Sequence, residues 1–210
     1  MPVSPRYDPT PATSDLPDDA ELRLCGDVSG NRRALELGIG PHRNALAFAA
    51  QGAKALALDP EAARIAELRG LAQRDELSVE CHRGDLADLG FATSGSIDVV
   101  VAAHTVDDID DIGRLLRQVH RVLKPQGRLV IAATHPAAAL GQPAAAPPAY
   151  GGTTESPPPA RYGDASRTIG AWFTALTRSN FRVDVIHELA SRNGANVPDV
   201  LVIRARKEGS

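Results

Sequence analysis

The short run Ala34-Leu35-Glu36-Leu37 stops on Gly38, and an Ala-rich stretch of helical length, Pro41 to Gln51, begins just after Gly40. Four mostly apolar residues are too few for a helix, so the run predicts a buried parallel strand entering a tight turn. Gly38 and Gly40 let the backbone turn sharply and approach a ligand without a Cβ clash. Pro41 suits the first helical turn, where its missing N–H would be unpaired anyway, and Gly52 suits the helix exit. Strand, glycine turn and helix form the opening unit of a wound α/β sheet.

The chain continues the alternation. Ala55 to Asp59 predicts a second strand and Glu61 to about Gln73 a second helix; Leu77 to Cys81 predicts a third strand, interrupted by Glu80. Ile97 to Ala103, with three successive valines, is the strongest strand signal. Ile109, Ile112, Leu115, Leu116, Val119 and Leu123 then recur at helical spacing. Lys124 complements that helix's C-terminal dipole, and Pro125 with Gly127 stops it. Arg128 to Ala133 predicts a fifth strand, about Thr168–Ser179 a helix, and Phe181 to Glu188 and Val200 to Arg206 two last strands with no helix between them. The expected fold is α/β: a doubly wound, mostly parallel seven-stranded sheet with an antiparallel C-terminal hairpin and helices on both faces.

Two stretches fall outside this rhythm. Residues 1–17 hold five prolines and no period, and read as a flexible arm preceding a domain over 18–210, whose first residues suit a short helix ending at Gly26. Pro136 to Pro159 holds seven prolines, and about 136–165 reads as a Pro/Ala-rich insert, either a lid or a tolerated surface loop. Tyr150, Arg161, Tyr162 and Trp172 are weak substrate-contact candidates there, Trp172 being better placed as helix core. A net charge of −3 offers no basic face for nucleic acid. No apolar run reaches the ~18 residues that span a bilayer. The N-terminus has no signal-peptide pattern, so the cytoplasm is the expected compartment, and Cys25 and Cys81 are expected to be thiols. No spacing matches a metal site.

In such a sheet the ligand lies beyond the carboxyl ends of the strands, where strand order reverses. Glu36, Gly38 and Gly40 are placed there. Asp59 closes the second strand, where a carboxylate suits ribose hydroxyls, and Asp85 follows the third, where one can accept from an adenine amino group. Each Asp also suits a cap. The run Gly38-Ile39-Gly40-Pro41-His42-Arg43 puts a bulky arginine where dinucleotide folds want a small residue. Glu36 would repel a pyrophosphate, but it favours a ligand with an ammonium and a sulfonium, such as S-adenosylmethionine. Without a cation, a buried Glu36 would be costly.

The segments LELGIGPHRNALAFAAQGAKALALDP, GDLADL, SIDVVVAAHTVDD and LLRQVHRVLKPQGRLVIAATHP resemble the Rossmann-fold methyltransferases that use S-adenosylmethionine, above all their small actinobacterial members. The resemblance runs from about Leu16 to the C-terminus. It implies that Glu36, Gly38 and Gly40 line the methionine end, that Asp59 binds ribose, and that Asp85 with Leu86 holds adenine; Asn44, Pro60 and His104 complete the expected cofactor contacts. The expected activity is methyl transfer to a small-molecule acceptor by a monomer or homodimer. The family usually carries a glycine where this chain has His42, whose side chain either crowds the cofactor or points outward. Crowding would leave a catalytically inactive binding protein; a nicotinamide-dependent oxidoreductase on a related fold is the remaining alternative. His104 and His135 end the fourth and fifth strands at the cleft mouth. Each is either a general base or substrate contact, or a histidine satisfied by backbone groups.

Overall fold

The computed structural model describes residues 24–141, 159–190 and 197–209. The expected arm at 1–17, most of the short helix after it, and the centre of the insert with Tyr150 lie outside the described residues. In chain order the elements are β1 (Arg33–Leu37), α1 (Asn44–Ala50), β2 (Lys54–Asp59), α2 (Ala62–Arg74), β3 (Val79–Arg83) and β4 (Ile97–Ala103). They continue with α3 (Ile112–Val122), β5 (Leu123–Thr134), a 3-10 turn (Ala138–Gly141), α4 (Ile169–Arg178), β6 (Phe181–Ala190) and β7 (Pro198–Lys207).

The strands form one seven-stranded sheet in the order β3-β2-β1-β4-β5-β7-β6. β1 pairs in parallel with both β2 and β4, while β7 runs antiparallel between β5 and β6. Strand order therefore reverses between β1 and β4, which opens the ligand crevice beyond Leu37 and Ala103.

Period-two alternation sorts the core by size. Leu35, Leu37, Leu56, Leu58, Leu129 and Ile131 pack on one face against α3 and α4. Ala34, Ala55, Ala57, Ala103 and Ala132 pack on the other, against α1 and α2. Small residues there let α1 approach closely, so a core poor in aromatics still closes, with Phe48 and Trp172 among its largest buried side chains. Cys25 and Cys81 are free thiols. Among the described residues no helix is long and apolar enough to cross a membrane.

Four local expectations are corrected. α1 begins at Asn44, not Pro41, because Arg43 takes a left-handed backbone (φ 49°, ψ 60°) that ends the turn. β3 starts two residues later than expected, at Val79, pairing with β2 at the sheet edge. α3 starts at Ile112, because the Asp111 side chain accepts from the Arg114 N–H and caps it. Lys124 does not serve the helix dipole. Its ammonium binds both Asp98 oxygens at 2.8 Å and ties the start of β5 to β4.

Candidate functional site

The loop after β1 is held from two sides. The Gly38 N–H donates to the Leu58 carbonyl (2.8 Å), and Gly38 sits at φ 78°. The loop leaving β4 crosses it: the Thr105 hydroxyl donates to the Leu37 carbonyl (2.5 Å), and a Cβ on Gly38 would lie 2.3 Å from that of Thr105. A Cβ on Gly40 would lie 3.0 Å from the Ala103 carbonyl oxygen. The crossing of two chain segments thus calls for glycine at position 38, whatever binds above it, while at position 40 a side chain would press on the Ala103 carbonyl.

Glu36 points to the α1 face and is fully buried. Its Oε1 accepts from the N–H groups of Gly40 (3.3 Å) and Asn44 (2.9 Å), and Oε2 from Ala45 (2.9 Å). Burial pushes its carboxyl up to about 7, and those three N–H donors pull the other way. The open N-terminus of α1 supplies donors and a positive dipole end, which offset part of the burial cost expected for Glu36 without a cation but not all of it.

Asp59 is also fully buried; its oxygens accept from the N–H groups of Ile39 and Glu61, each at 2.7 Å, and Arg64 stands 3.6 Å away. Asp85 is half exposed, with Oδ1 accepting from the Ala87 N–H (2.9 Å) and Oδ2 lying 3.4 Å from Arg114. Leu86 is buried beside it, and Pro60 is exposed, its carbonyl accepting from Arg83. The Asn44 side chain is fully buried, and its amide is among the groups that pull the Glu36 carboxyl down. A cavity of about 360 Å³ opens at the β1–β4 junction, lined by Ile39, Gly40, Pro41, His104 and Thr105, with Arg43, Arg64 and Glu67 on one wall. A second cavity, of about 260 Å³, lies at the opposite end of the sheet beside Arg32, Asp98, Lys124 and Arg128. It falls outside the crevice that strand order creates.

Residues 35–131 match the sequence family described as "Methyltransferase domain". A "Ubiquinone biosynthesis O-methyltransferase" of Xanthomonas oryzae pv. oryzae is 30% identical over 107 residues, covering 50% of this chain and 44% of that protein. The chain thus spans under half the length of the curated relatives it matches. An S-adenosylmethionine-dependent methyltransferase from Mesorhizobium loti superposes with a TM-score of 0.69 at 23% identity, over 90% of this chain and 96% of that one. One from Methanosarcina mazei gives 0.66 at 19%, over 91% and 98%. Over residues 35–131 the chain thus resembles the methyltransferase domains, and its fold is the one these solved methyltransferases share.

The residues around the crevice fit S-adenosylmethionine. The cavity beside the glycine turn carries Arg43 and Arg64 to meet a carboxylate, and the buried Asn44 lies next to it at the start of α1. His42 does not line the cavity; Arg43, one residue later, takes the left-handed conformation and places its guanidinium on the wall, bound to Glu67 and to the Pro41 carbonyl.

The two histidines part company. His104 lines the cavity, with Nδ1 3.7 Å from Asp107 Oδ2 and Nε2 buried without a partner. His135 is 2% exposed; its Nε2 pairs with Glu188 Oε1 (2.8 Å) and its Nδ1 accepts from the Ala137 N–H (3.0 Å). With both nitrogens engaged, His135 is the histidine satisfied at a strand end, and the expectation of a base there is corrected. Tyr162 is exposed, and Trp172 is fully buried in the core with Arg167 stacked 5.4 Å from its ring centre.

Three residues were not singled out from the sequence, Arg64, Thr105 and Asp107, and Arg43 was weighed there only for its bulk. The signal for Asp107 was present in the pair Asp107-Asp108 directly after β4. Burial alone pushes the Asp107 carboxyl up, but bonds from His104 and Thr134 outweigh it and hold the group below the usual carboxylate range.

Proposed function

We propose that the chain transfers the methyl group of S-adenosylmethionine to a small-molecule acceptor. The carrying observation is the cavity at the β1–β4 junction, which joins the glycine turn to His104 on the exit loop of β4. Gly38, Gly40 and Asn44 would hold the methionine end, Asp59 and Pro60 the ribose, and Asp85 with Leu86 the adenine. Bound there, the cofactor supplies a methyl carbon already activated by a positive sulfur. The protein's own work is to hold an acceptor ~3–3.5 Å from that carbon, aligned with the leaving bond, and to exclude water. The family match and the O-methyl transfer named for the Xanthomonas relative support this reading.

Calorimetric titration with S-adenosylhomocysteine tests the site. Saturable binding is expected for the native chain and should vanish in Gly38→Arg, whose side chain meets Thr105, and weaken at least tenfold in Asp59→Ala. Native affinity in both variants would overturn the site assignment. Mass spectrometry of any cofactor that co-purifies separates this reading from a nicotinamide-dependent one.

A further inference from the structure

The exit loop of β4 holds a histidine–carboxylate pair at the edge of the cavity. His104 adopts φ 54°, a left-handed conformation that non-glycine residues avoid, and such outliers persist where surrounding structure enforces them. Its N–H donates to the Ala132 carbonyl of β5 (2.8 Å). Asp107, on the same loop, is fixed by three bonds. Its Oδ2 accepts from the Thr134 N–H (3.1 Å) and hydroxyl (3.0 Å), and its carbonyl accepts from Arg167 (2.9 Å). Arg167 also reaches the carbonyls of Val106 and Ile109, so the whole loop is clamped. The result is a rigid carboxylate whose Oδ2, already held by Thr134, lies 3.7 Å from His104 Nδ1, while its Oδ1 is buried without a hydrogen-bond partner. Such an anion gains most when the ring carries a second proton.

We infer that His104 is the general base of the reaction, that Asp107 is the positioning residue fixing its Nδ1–H tautomer, and that the acceptor is therefore a hydroxyl compound, an alcohol or phenol. This rests on the methyl-transfer reading. An amine attacks as the neutral base and loses its proton afterwards, and a thiol ionises near neutral pH, so neither requires a held base at the moment of attack. A hydroxyl does. As the acceptor O–H bond breaks, its proton moves to His104 Nε2; the oxygen's electron pair forms the new O–CH₃ bond, and the S–CH₃ pair stays on sulfur. The imidazolium so formed faces Asp107 and later returns its proton to water.

The pair is tested first without turnover. Nitrogen-15 spectra of the histidine-labelled chain at pH 8.5, with the His104 signals assigned by their absence in His104→Gln, should show Nδ1 protonated and Nε2 bare. Asp107→Asn should shift the ring toward the Nε2–H tautomer, and Thr134→Val, which keeps the carboxylate, should shift it partway. A native ring already in the Nε2–H form, or the same tautomer in Asp107→Asn, overturns the pairing. Acceptor class is then read from a phenol and its aniline and thiophenol analogues. Asp107→Asn should lower kcat for the phenol about a hundredfold at unchanged S-adenosylhomocysteine affinity, and for the thiophenol less than threefold. Equal losses overturn the hydroxyl assignment. A chain that shows the tautomer but methylates none of the three refutes methyl transfer itself, and the acceptor class with it.

Discussion

Replacing Glu36 with Gln should change how stability depends on pH more than it changes stability itself. Glu36 is fully buried, and burial raises its carboxyl from the usual 4.5 to about 7 despite the donors on Gly40, Asn44 and Ala45. In that window the folded chain binds a proton that the unfolded chain has released, so stability falls as pH rises from 4.5 and the full penalty is present above 7. A raise from 4.5 to about 7 corresponds to roughly 3 kcal/mol. For a domain of this size, 1 kcal/mol shifts Tm by about 2–4 °C, so the swing is on the order of 6–12 °C.

Glutamine keeps the shape and removes the titration. Its oxygen still accepts from the α1 N–H groups, but its amino group opposes the remaining donor, at a pH-independent cost of about 1–3 kcal/mol. The assay is thermal unfolding of the ligand-free native chain and Glu36→Gln from pH 4.5 to 8.5. Subtracting one curve from the other cancels the other titrating groups. The native chain should lose about 3 kcal/mol more than the variant across that range. Parallel curves would refute the reasoning, because they would mean that the N–H donors at α1 already offset the whole burial penalty.

Gly38→Ala should cost about 2–4 kcal/mol in urea unfolding, combining a left-handed alanine with a clash against Thr105; Gly40→Ala, meeting only the Ala103 carbonyl at 3.0 Å, should cost clearly less. Equal costs would show that the β4 exit loop does not set the glycine requirement. Arg167→Ala removes the bonds to the Val106, Asp107 and Ile109 carbonyls, so hydrogen exchange across residues 106–111 should accelerate about a hundredfold, with β1 unchanged. Uniform exchange in that loop would contradict the clamp. Arg64→Ala should tighten adenosine binding by up to about fivefold, because the arginine competes with ribose hydroxyls for Asp59 while adenosine offers it no carboxylate; weaker adenosine binding would show that Arg64 recognises the nucleoside directly.

Much of the fold was legible because its signals are local. Leu35 and Leu37 alternate with Ala34 and Glu36, the valines of β4 need no context, and a hairpin with no helix between its strands can only pair antiparallel. The errors arose where a distant partner decides. Lys124 looks like a helix-terminal cation until β4 brings Asp98 to it. Pro41 looks like a helix start until Arg43 takes the left-handed turn. Asp107 and Thr134 belong to different βα units, and Arg167 lies beyond the insert, so no window of sequence contains the pair that holds His104.

The acidic strand ends pose a subtler problem, since a carboxylate at that position serves the backbone and a ligand by the same chemistry. Glu36 caps α1, Asp59 receives Ile39 and Glu61, and Asp85 receives Ala87, each through ordinary N–H donors. Those bonds leave carboxylate lone pairs free, so capping and ligand binding are compatible roles. What separates the three is access. Asp85 is half exposed and can meet an adenine amino group as it stands, whereas Asp59 is fully buried with Arg64 beside it. On the proposed assignment a ribose reaches Asp59 only if Arg64, 47% exposed and paired with Glu61 at 3.1 Å, gives way. If Asp85 and Asp59 hold the adenine and ribose as proposed, adenine can dock before the ribose is gripped, and the ribose contact depends on Arg64, a side chain that sequence spacing does not flag.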